Sequence, residues 1–180
     1  MAKKTEYSSK KSLAKKDPSY RSKPAEITSG ASSYSQPQTD LRAQMVEEIL
    51  EQYQVFYRSP YAKLEAIRKG LDSVAIKDFI LLTGITQVDL AHVLSLTEPT
   101  LRKYIKEGKE LNQGISEHMI QLFELFDKGM DTFGSLEQFK NWLPHHNIGI
   151  AARPIDLLDT MTGISIVMDE LYRIDYGILA

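Results

Sequence analysis

The chain has 180 residues, of which 42% are apolar and 26% are charged, and its formal net charge is −2, a composition ordinary for one globular domain or two small ones. It contains no cysteine, which excludes disulfides, thiolate zinc sites, iron–sulfur clusters and cysteine nucleophiles. No apolar run is long enough to span a membrane and none follows the basic N-terminus, so we expect a soluble, cytoplasmic protein without a secretory signal.

Residues 1–38 have the composition of a disordered tail. They are rich in serine and lysine, contain Pro18, Pro24 and Pro37, and have almost no aliphatic side chains. Such a segment buries too little apolar area to offset the entropy of ordering it. Residues 1–36 carry eight Lys or Arg and three Asp or Glu. This basic tail is either an arm for non-specific binding to nucleic acid or a solubilising segment without a dedicated role.

Three helices are predicted after the tail. Apolar residues at three- and four-residue spacing predict a helix at residues 41–57. Pro60 is suited to the first turn of a second helix and Gly70 to its end. A third apolar-periodic run follows Ser73 and stops at Gly84.

Two short predicted helices, separated by a tight turn, come next. Thr86 is predicted to cap the first, with Asp89 reaching back to it in a capping box. Thr97 is predicted to cap the second, where Pro99 falls in the first turn and is tolerated. Ala91 is small enough for the two helices to cross closely. This is the helix-turn-helix pattern, whose second helix enters the major groove of DNA, although such helix pairs also occur inside ordinary bundles.

The exposed face of the second of these helices carries side chains suited to DNA contact. Its hydroxyls and cations supply phosphate donors and at least one possible base reader. The candidate DNA-binding residues are Thr97, Thr100, Arg102, Lys103 and Lys106. Glu98 is either an acceptor for a cytosine amine or a helix cap. Because one copy has only a modest positive excess, tight operator binding needs a homodimer.

A long helix and a short one are predicted after residue 112. Ser116 is predicted to cap the long helix, and Gly129 and Gly134 are predicted to end it. The short helix starts at Ser135 and stops at Pro144.

The rest of the chain is predicted to contain a loop at residues 144–153, a helix opened by Pro154, a turn at Thr162-Gly163 and a final helix. The chain then ends in an apolar tip, Tyr176–Ala180, which suits burial in a partner. Residues 113–180 carry four Lys or Arg and ten Asp or Glu. The contrast with the basic tail indicates that the two ends face different partners, unless solvated faces differ in charge by chance.

No pattern typical of an enzyme is found in the sequence. Asp156 and Asp159 lie near the start of a predicted helix, where acidic residues usually interact with the helix dipole. The adjacent His145 and His146 lack the further ligands that a metal needs. There is no phosphate-binding loop and no nucleophile elbow, so we expect no catalytic residue, metal or cofactor.

Four other side chains on predicted helices need an interpretation. His92 and His118 are expected at the surface or half-buried. Trp142 falls on the apolar face of its helix and is predicted to anchor the core rather than to contact a partner. Arg173 either pairs with an acidic side chain one helical turn away or makes a bidentate contact at an interface.

Four motifs occur in order near the C-terminus. They are Trp142-Leu143, the box Pro154-Ile-Asp-Leu-Leu-Asp-Thr160, Gly163, and Arg173-Ile174 with Gly177. With these motifs, residues 71–180 resemble the Xre/MbcA/ParS-type antitoxins, in which a helix-turn-helix precedes a small toxin-binding domain.

The resemblance implies a protein that neutralises a toxin of the RES type, which destroys NAD⁺ or uses it to ADP-ribosylate a target, and that represses its own operon. Together with the helices predicted before it, the resemblance leads us to expect an all-α fold, with N-terminal helices and a helix-turn-helix DNA-binding domain at residues 39–112 and a toxin-binding domain at residues 113–180. In such proteins the C-terminal helix and tip block the NAD⁺ pocket of the toxin. The residues carried over as toxin-binding are Leu157, Asp159, Arg173, Ile174, Tyr176, Gly177, Ile178, Leu179 and Ala180.

One departure from the family pattern concerns the loop before the box. The family commonly has a Gly-Gly pair there, whereas this chain has Ala151-Ala152 and a connection one residue shorter. Two other functions stay open at the level of sequence. One is a free-standing helix-turn-helix regulator of transcription without a toxin, and the other is an interaction adaptor that has lost DNA binding.

Overall fold

The computed structural model describes residues 37–177, with side chains from residue 41. Within these residues the regular structure is helical, which confirms the all-α prediction. The elements in chain order are α1 (Pro37–Tyr57), α2 (Pro60–Lys69), α3 (Val74–Thr83), α4 (Gln87–Val93), α5 (Glu98–Glu107), α6 (Gln113–Phe133), α7 (Leu136–Trp142), a 3₁₀ turn (Pro154–Leu157) and α8 (Met161–Asp175). Helix α1 starts earlier than residue 41 because Pro37 is suited to a first helical position. Of residues 1–38, which were predicted to be disordered, residues 1–36 lie outside the described residues, and for Pro37 and Gln38 the prediction is wrong because they form the first turn of α1.

The caps of the first helices follow from local sequence. The Ser59 hydroxyl accepts a hydrogen bond from the Ala62 N–H at 3.2 Å, which starts α2 at Pro60. Helix α3 ends at Gly84, whose φ of 74° is left-handed, as predicted. At its start the Ser73 side chain makes no capping hydrogen bond, and the Asp72 carboxylate accepts from the Val74 N–H at 2.8 Å.

Helix α6 begins before the predicted cap. Asn112 caps it, with its side-chain oxygen accepting from the Ile115 N–H at 3.0 Å. The prediction that Ser116 caps this helix is therefore wrong. Ser116 is buried inside α6, accepts from the Leu71 N–H at 3.0 Å and donates to the Leu111 carbonyl at 3.2 Å. It thus ties α6 to the chain segment before α3.

Helix α6 also continues through a glycine that was predicted to end it. Gly129 is buried in mid-helix, and the Phe139 ring of α7 packs where a side chain would be. The helix ends at Phe133, and Gly134 takes the left-handed cap conformation, with a φ of 77°. The prediction at Gly129 is wrong because the glycine there allows the close approach of α7 and does not end the helix.

The core is built around α6. Tyr53 of α1 stacks on Phe123 with 3.8 Å between ring centroids, and Phe79 of α3 meets Phe123 and Phe126 edge-on at 5.2 Å. The Tyr53 hydroxyl donates to Asp78 at 2.6 Å, and burial together with this carboxylate raises the pKa of Tyr53 above its ordinary value. Helices α7 and α8 pack on the same long helix.

The C-terminal elements differ from prediction in two places. The helix predicted after Pro154 is a single 3₁₀ turn. The turn predicted at Thr162-Gly163 is wrong, because Thr160 caps α8 by accepting from the Gly163 N–H at 3.0 Å, and the helix begins at Met161. Trp142 is half-buried, and its ring lies 5.3 Å from that of Phe133, so it packs against the core as predicted.

Candidate functional site

Helices α4 and α5 form the predicted helix-turn-helix. Thr86 accepts from the Asp89 N–H at 3.1 Å, and its hydroxyl donates to the Asp89 carboxylate at 2.6 Å. The predicted capping box is therefore present in a variant form, closed through the hydroxyl rather than the backbone. The turn between the helices passes through Ser95, which has a left-handed φ of 54°. Apolar side chains fill the interior of the pair: Leu90, Ala91, Leu94 and Leu101 are buried.

The two threonines among the candidate DNA-binding residues are engaged at the start of α5. Thr97 accepts from the Thr100 N–H at 3.4 Å, as predicted for a cap. The two hydroxyls also share a hydrogen bond of 2.8 Å. One hydroxyl donates its hydrogen in this shared bond, so only the other keeps its O–H free to donate to a phosphate oxygen.

The three basic candidates lie exposed along α5 but differ in their partners. Arg102 forms an ion pair with Glu98, one helical turn earlier. Glu98 thus pairs with an arginine on the candidate DNA-binding face. Lys103 and Lys106 are exposed and have no ion pair within the described part of the chain. They are the cations that a phosphate can contact without breaking an existing pair.

The candidate toxin-binding residues of the box lie beside the start of α8. Leu157 is half-buried against the core, and Asp159 is exposed. Asp156 accepts two hydrogen bonds from the Arg153 guanidinium, at 2.7 and 2.8 Å. Asp156 and Asp159 therefore have different surroundings, since the first is held by a cation and the second faces solvent.

Arg173 joins α8 to the loop that precedes the box. Its Nη1 donates to the Glu170 carboxylate at 2.9 Å and lies 3.5 Å from the Gly149 carbonyl oxygen. Glu170 is 7% exposed, so Arg173 compensates a nearly buried charge. Of the two interpretations of Arg173, the structure shows the pair one turn away. Glu170 and Gly149 are functional candidates that no motif in the sequence singled out.

The end of α8 is fixed to α6 by a second ion pair. Lys128 contacts Asp175 and lies 5.1 Å from the centre of the Tyr172 ring. The hydrogen bond from Lys128 lowers the pKa of the Asp175 carboxyl. Beyond this anchor Tyr176 is 77% exposed.

The remaining toxin-binding candidates fall on either side of this anchor. Ile174 is half-buried, and Gly177 is exposed with a left-handed φ of 64°. Ile178, Leu179 and Ala180 lie outside the described residues. Helix α8, held by the Lys128–Asp175 pair, therefore ends at the surface immediately before the apolar tip Tyr176–Ala180.

The loop between α7 and the box is a tight turn. The Asn147 N–H donates to the Ala152 carbonyl at 2.9 Å, and the Ile150 N–H donates to the Asn147 side chain at 3.1 Å. Ala151 adopts a left-handed φ of 52°. The backbone here keeps a conformation that suits glycine although the side chain is alanine. Ile148, at the tip, is 86% exposed.

The two histidines on predicted helices differ in their burial. His118 is buried, and its Nε2 lies 2.8 Å from the Leu158 carbonyl oxygen, so the expectation of a surface or half-buried position is wrong for this residue. The reason is that the box folds back onto α6. His92 is exposed, as expected.

Among the described residues no cluster of three possible metal ligands occurs, and no helix there is long and apolar enough to cross a membrane.

Comparisons with known proteins point to one family. Residues 128–177 match the family described as the antitoxin Xre/MbcA/ParS C-terminal toxin-binding domain. The chain is also similar to the Prs ADP-ribosylating antitoxin of Sphingobium sp. (strain YBL2). The two are 30% identical over an alignment of 140 residues, and this alignment covers 71% of this chain and 87% of the relative.

Proposed function

The chain belongs to the Xre/MbcA/ParS family of antitoxins, and we propose that it neutralises a RES-type toxin by covering the toxin's NAD⁺ pocket and represses its own operon through α4 and α5. As an antitoxin of a toxin–antitoxin system it acts on a toxin partner. The observation that carries the proposal is the match to a toxin-binding domain at residues 128–177. That segment ends with α8, from which the apolar tip continues.

Three features support occlusion of an NAD⁺ pocket. The Lys128–Asp175 pair fixes the end of α8, so the residues that follow start from a defined position. Residues 113–180 carry ten acidic and four basic side chains, which complement a pocket built for an anionic cofactor. The name of the Sphingobium relative mentions ADP-ribosylation, a reaction whose ADP-ribosyl donor is NAD⁺. The action is stoichiometric binding rather than turnover, and it requires neither a metal nor a cofactor in this chain.

Operator binding is proposed for α5. Lys103 and Lys106 supply phosphate contacts, Arg102 supplies a third once it leaves Glu98, and Thr97 and Thr100 lie where α5 begins. The cations of one α5 are few, so we propose that two copies bind a two-fold symmetric operator as a homodimer. On this basis residues 39–112 serve DNA and residues 113–180 serve the toxin.

The toxin arm is tested by removing Tyr176–Ala180. This truncation keeps Ile174 and the Lys128–Asp175 pair, so α8 should stay folded. The protein encoded beside this chain is expressed with and without the full or truncated chain, and cellular NAD⁺ and growth are followed. We expect collapse of NAD⁺ with the toxin alone, recovery with the full chain, and no recovery with the truncated chain. Rescue by the truncated chain would refute occlusion by the tip.

The DNA arm is tested by neutralising Lys103 and Lys106 separately. Operator affinity is measured as a function of salt for Lys103→Gln and Lys106→Gln, with Lys69→Gln on α2 as the matched control. Each α5 variant should weaken binding at every salt concentration and reduce the slope of log K against log salt by about 2, because it removes one phosphate contact in each copy of the dimer. A flat salt response of the unaltered chain would instead favour the adaptor. Operator binding without a toxic neighbour would favour the free-standing regulator.

A further inference from the structure

We propose that Ile148 is a contact residue for the toxin and that Gly149, Glu170 and Arg173 hold it in place. This inference rests on the proposed function and adds to the toxin-binding surface the loop before the box, which contains none of the residues carried over as toxin-binding. With 86% of its surface accessible, Ile148 is the most exposed large apolar side chain among the described residues. Single exposed apolar residues are common, so the argument depends on what surrounds this one.

The backbone around Ile148 is held in a fixed shape. The Ile148 carbonyl accepts from the Ala151 N–H at 3.3 Å, inside the outer hydrogen bond between Asn147 and Ala152. Ile150 packs against the core on the opposite side of the turn. Ala151 adopts its left-handed conformation although it is not glycine, which is unfavourable for an L-residue. The turn therefore exposes the Ile148 side chain, and it does so with Ala151 in an unfavourable backbone conformation.

Gly149, next to Ile148, is where the loop packs against α8. A Cβ atom at Gly149 would lie 2.6 Å from a Glu170 carboxylate oxygen, so a side chain there would push this carboxylate out of its place. Glu170 is in turn held by Arg173, which also reaches the Gly149 carbonyl. We call these three residues the latch. Arg173 acts through it as a positioning residue, which explains its place in the terminal motif without a direct toxin contact.

The latch joins the loop that carries Ile148 to the last turn of α8. Tyr176, which is 77% exposed, follows that turn as the C-terminal cap residue of α8. Ile148 and Tyr176 are thus exposed side chains within three residues in sequence of a member of the latch, and both belong to the segment that matches the toxin-binding domain. Because of that match, the occupant we infer is the toxin rather than a second copy of this chain.

The first test replaces the contact residue. Ile148→Ala is compared with the full chain for binding to the purified toxin, and Val55→Ala, at an exposed valine of α1, is the matched control. We expect Ile148→Ala to raise the Kd about tenfold, in the range of a buried interface residue, with the melting temperature and operator affinity unchanged. An unchanged Kd would overturn the inference. Loss of self-association without loss of toxin affinity would overturn it in favour of a second copy.

The second test asks whether the latch acts through Ile148. Gly149→Ala pushes on the Glu170 carboxylate and should weaken toxin binding about as much as Ile148→Ala does. If the latch only positions Ile148, the double variant should be no weaker than Ile148→Ala alone. Additive effects would overturn the positioning role. If the full chain itself fails to bind the toxin, the proposed function fails, whereas binding that tolerates Ile148→Ala contradicts this inference alone.

Discussion

At the scale of single residues, Gly129 shows how this fold depends on the close approach of two helices. It lies in the middle of α6, and a Cβ atom there would lie 2.5 Å from three atoms of the Phe139 ring. Phe139 is fully buried, and its ring also lies 5.2 Å from that of Phe126. It therefore has little freedom to move away, and the contact between α6 and α7 depends on the glycine.

We expect Gly129→Ala to lower the free energy of unfolding by about 2 kcal/mol. Alanine favours a helix interior by about 1 kcal/mol, but overpacking of a rigid core usually outweighs that gain. Gly114→Ala in the first turn of the same helix is the control, because its Cβ would meet Asn112 at an ordinary 3.6 Å. This control should gain up to about 1 kcal/mol. Urea unfolding measures both, and equal effects would contradict the packing argument.

Ala151 gives the opposite prediction, since glycine should be better than the native residue. Its φ of 52° is unfavourable for alanine by about 1 kcal/mol, whereas the added freedom of glycine in the unfolded chain offsets part of the gain. We therefore expect Ala151→Gly to raise the free energy of unfolding by about 0.5 kcal/mol. Ala152→Gly, at a position without positive φ, should lower it. The urea midpoints of the two variants should move in opposite directions, and a shared direction would contradict the strain at Ala151.

The residues that the sequence predicted correctly share one property. The caps at Thr97 and Gly84 depend on atoms within one helical turn, so their neighbours in the sequence are sufficient to identify them. Ser116, Gly129 and Gly149 were misread or passed over because each is determined by a distant segment. Their partners are Leu71, Phe139 and Glu170, respectively. No spacing rule within one helix contains that information.

At the scale of elements, the position of α8 depends on ion pairs. Their charged residues are visible in the sequence, but the sequence alone does not show which of them pair. A pair between Arg173 and an acidic side chain one turn away was one of two interpretations of the sequence, and the structure shows it with Glu170. Lys128 and Asp175 are far apart in sequence, and only the packing of α6 against α8 brings them together. The candidate DNA-binding face differs in this respect, because α5 carries its residues within ten positions and could be predicted from its pattern.

The Lys128–Asp175 pair predicts that the stability of the fold depends on pH in the acidic range. Its hydrogen bond lowers the pKa of the Asp175 carboxyl, so the pair stabilises the fold above the unfolded-state pKa of about 4 and is lost as the pH falls through the lower folded-state pKa. We expect Asp175→Asn to lower the urea midpoint at neutral pH and to match the unaltered chain at about pH 2.

The control for this prediction is the other carboxylate near Lys128. Asp131 also contacts Lys128, at 3.0 Å, but its side chain is 77% exposed. Asp131→Asn should therefore change the midpoint less than Asp175→Asn at neutral pH. A difference between Asp175→Asn and the unaltered chain that persists unchanged at low pH would show that the carboxylate charge is not what fixes α8.

At the scale of the whole molecule, α6 joins the two proposed functions. Its aromatic side chains meet Tyr53 and Phe79 on the side of α1 and α3, while Phe126 also packs edge-on to Phe139 of α7. The described residues belong to one compact unit. A division of function at residue 112 therefore does not require a division of the core, because a single helix supplies the apolar surface that both halves cover.

This arrangement predicts that the folded core unfolds in one step. The chain has a single tryptophan, Trp142, so its fluorescence reports on the C-terminal half while far-UV circular dichroism reports on all helices. The two urea transitions should coincide. Tyr53→Ala removes the ring that stacks on Phe123 from the other half, and it should lower the stability seen by both probes by about 3 kcal/mol. A Trp142 transition that stays in place while the circular dichroism transition moves would show that the halves fold independently, and α6 would then not couple them.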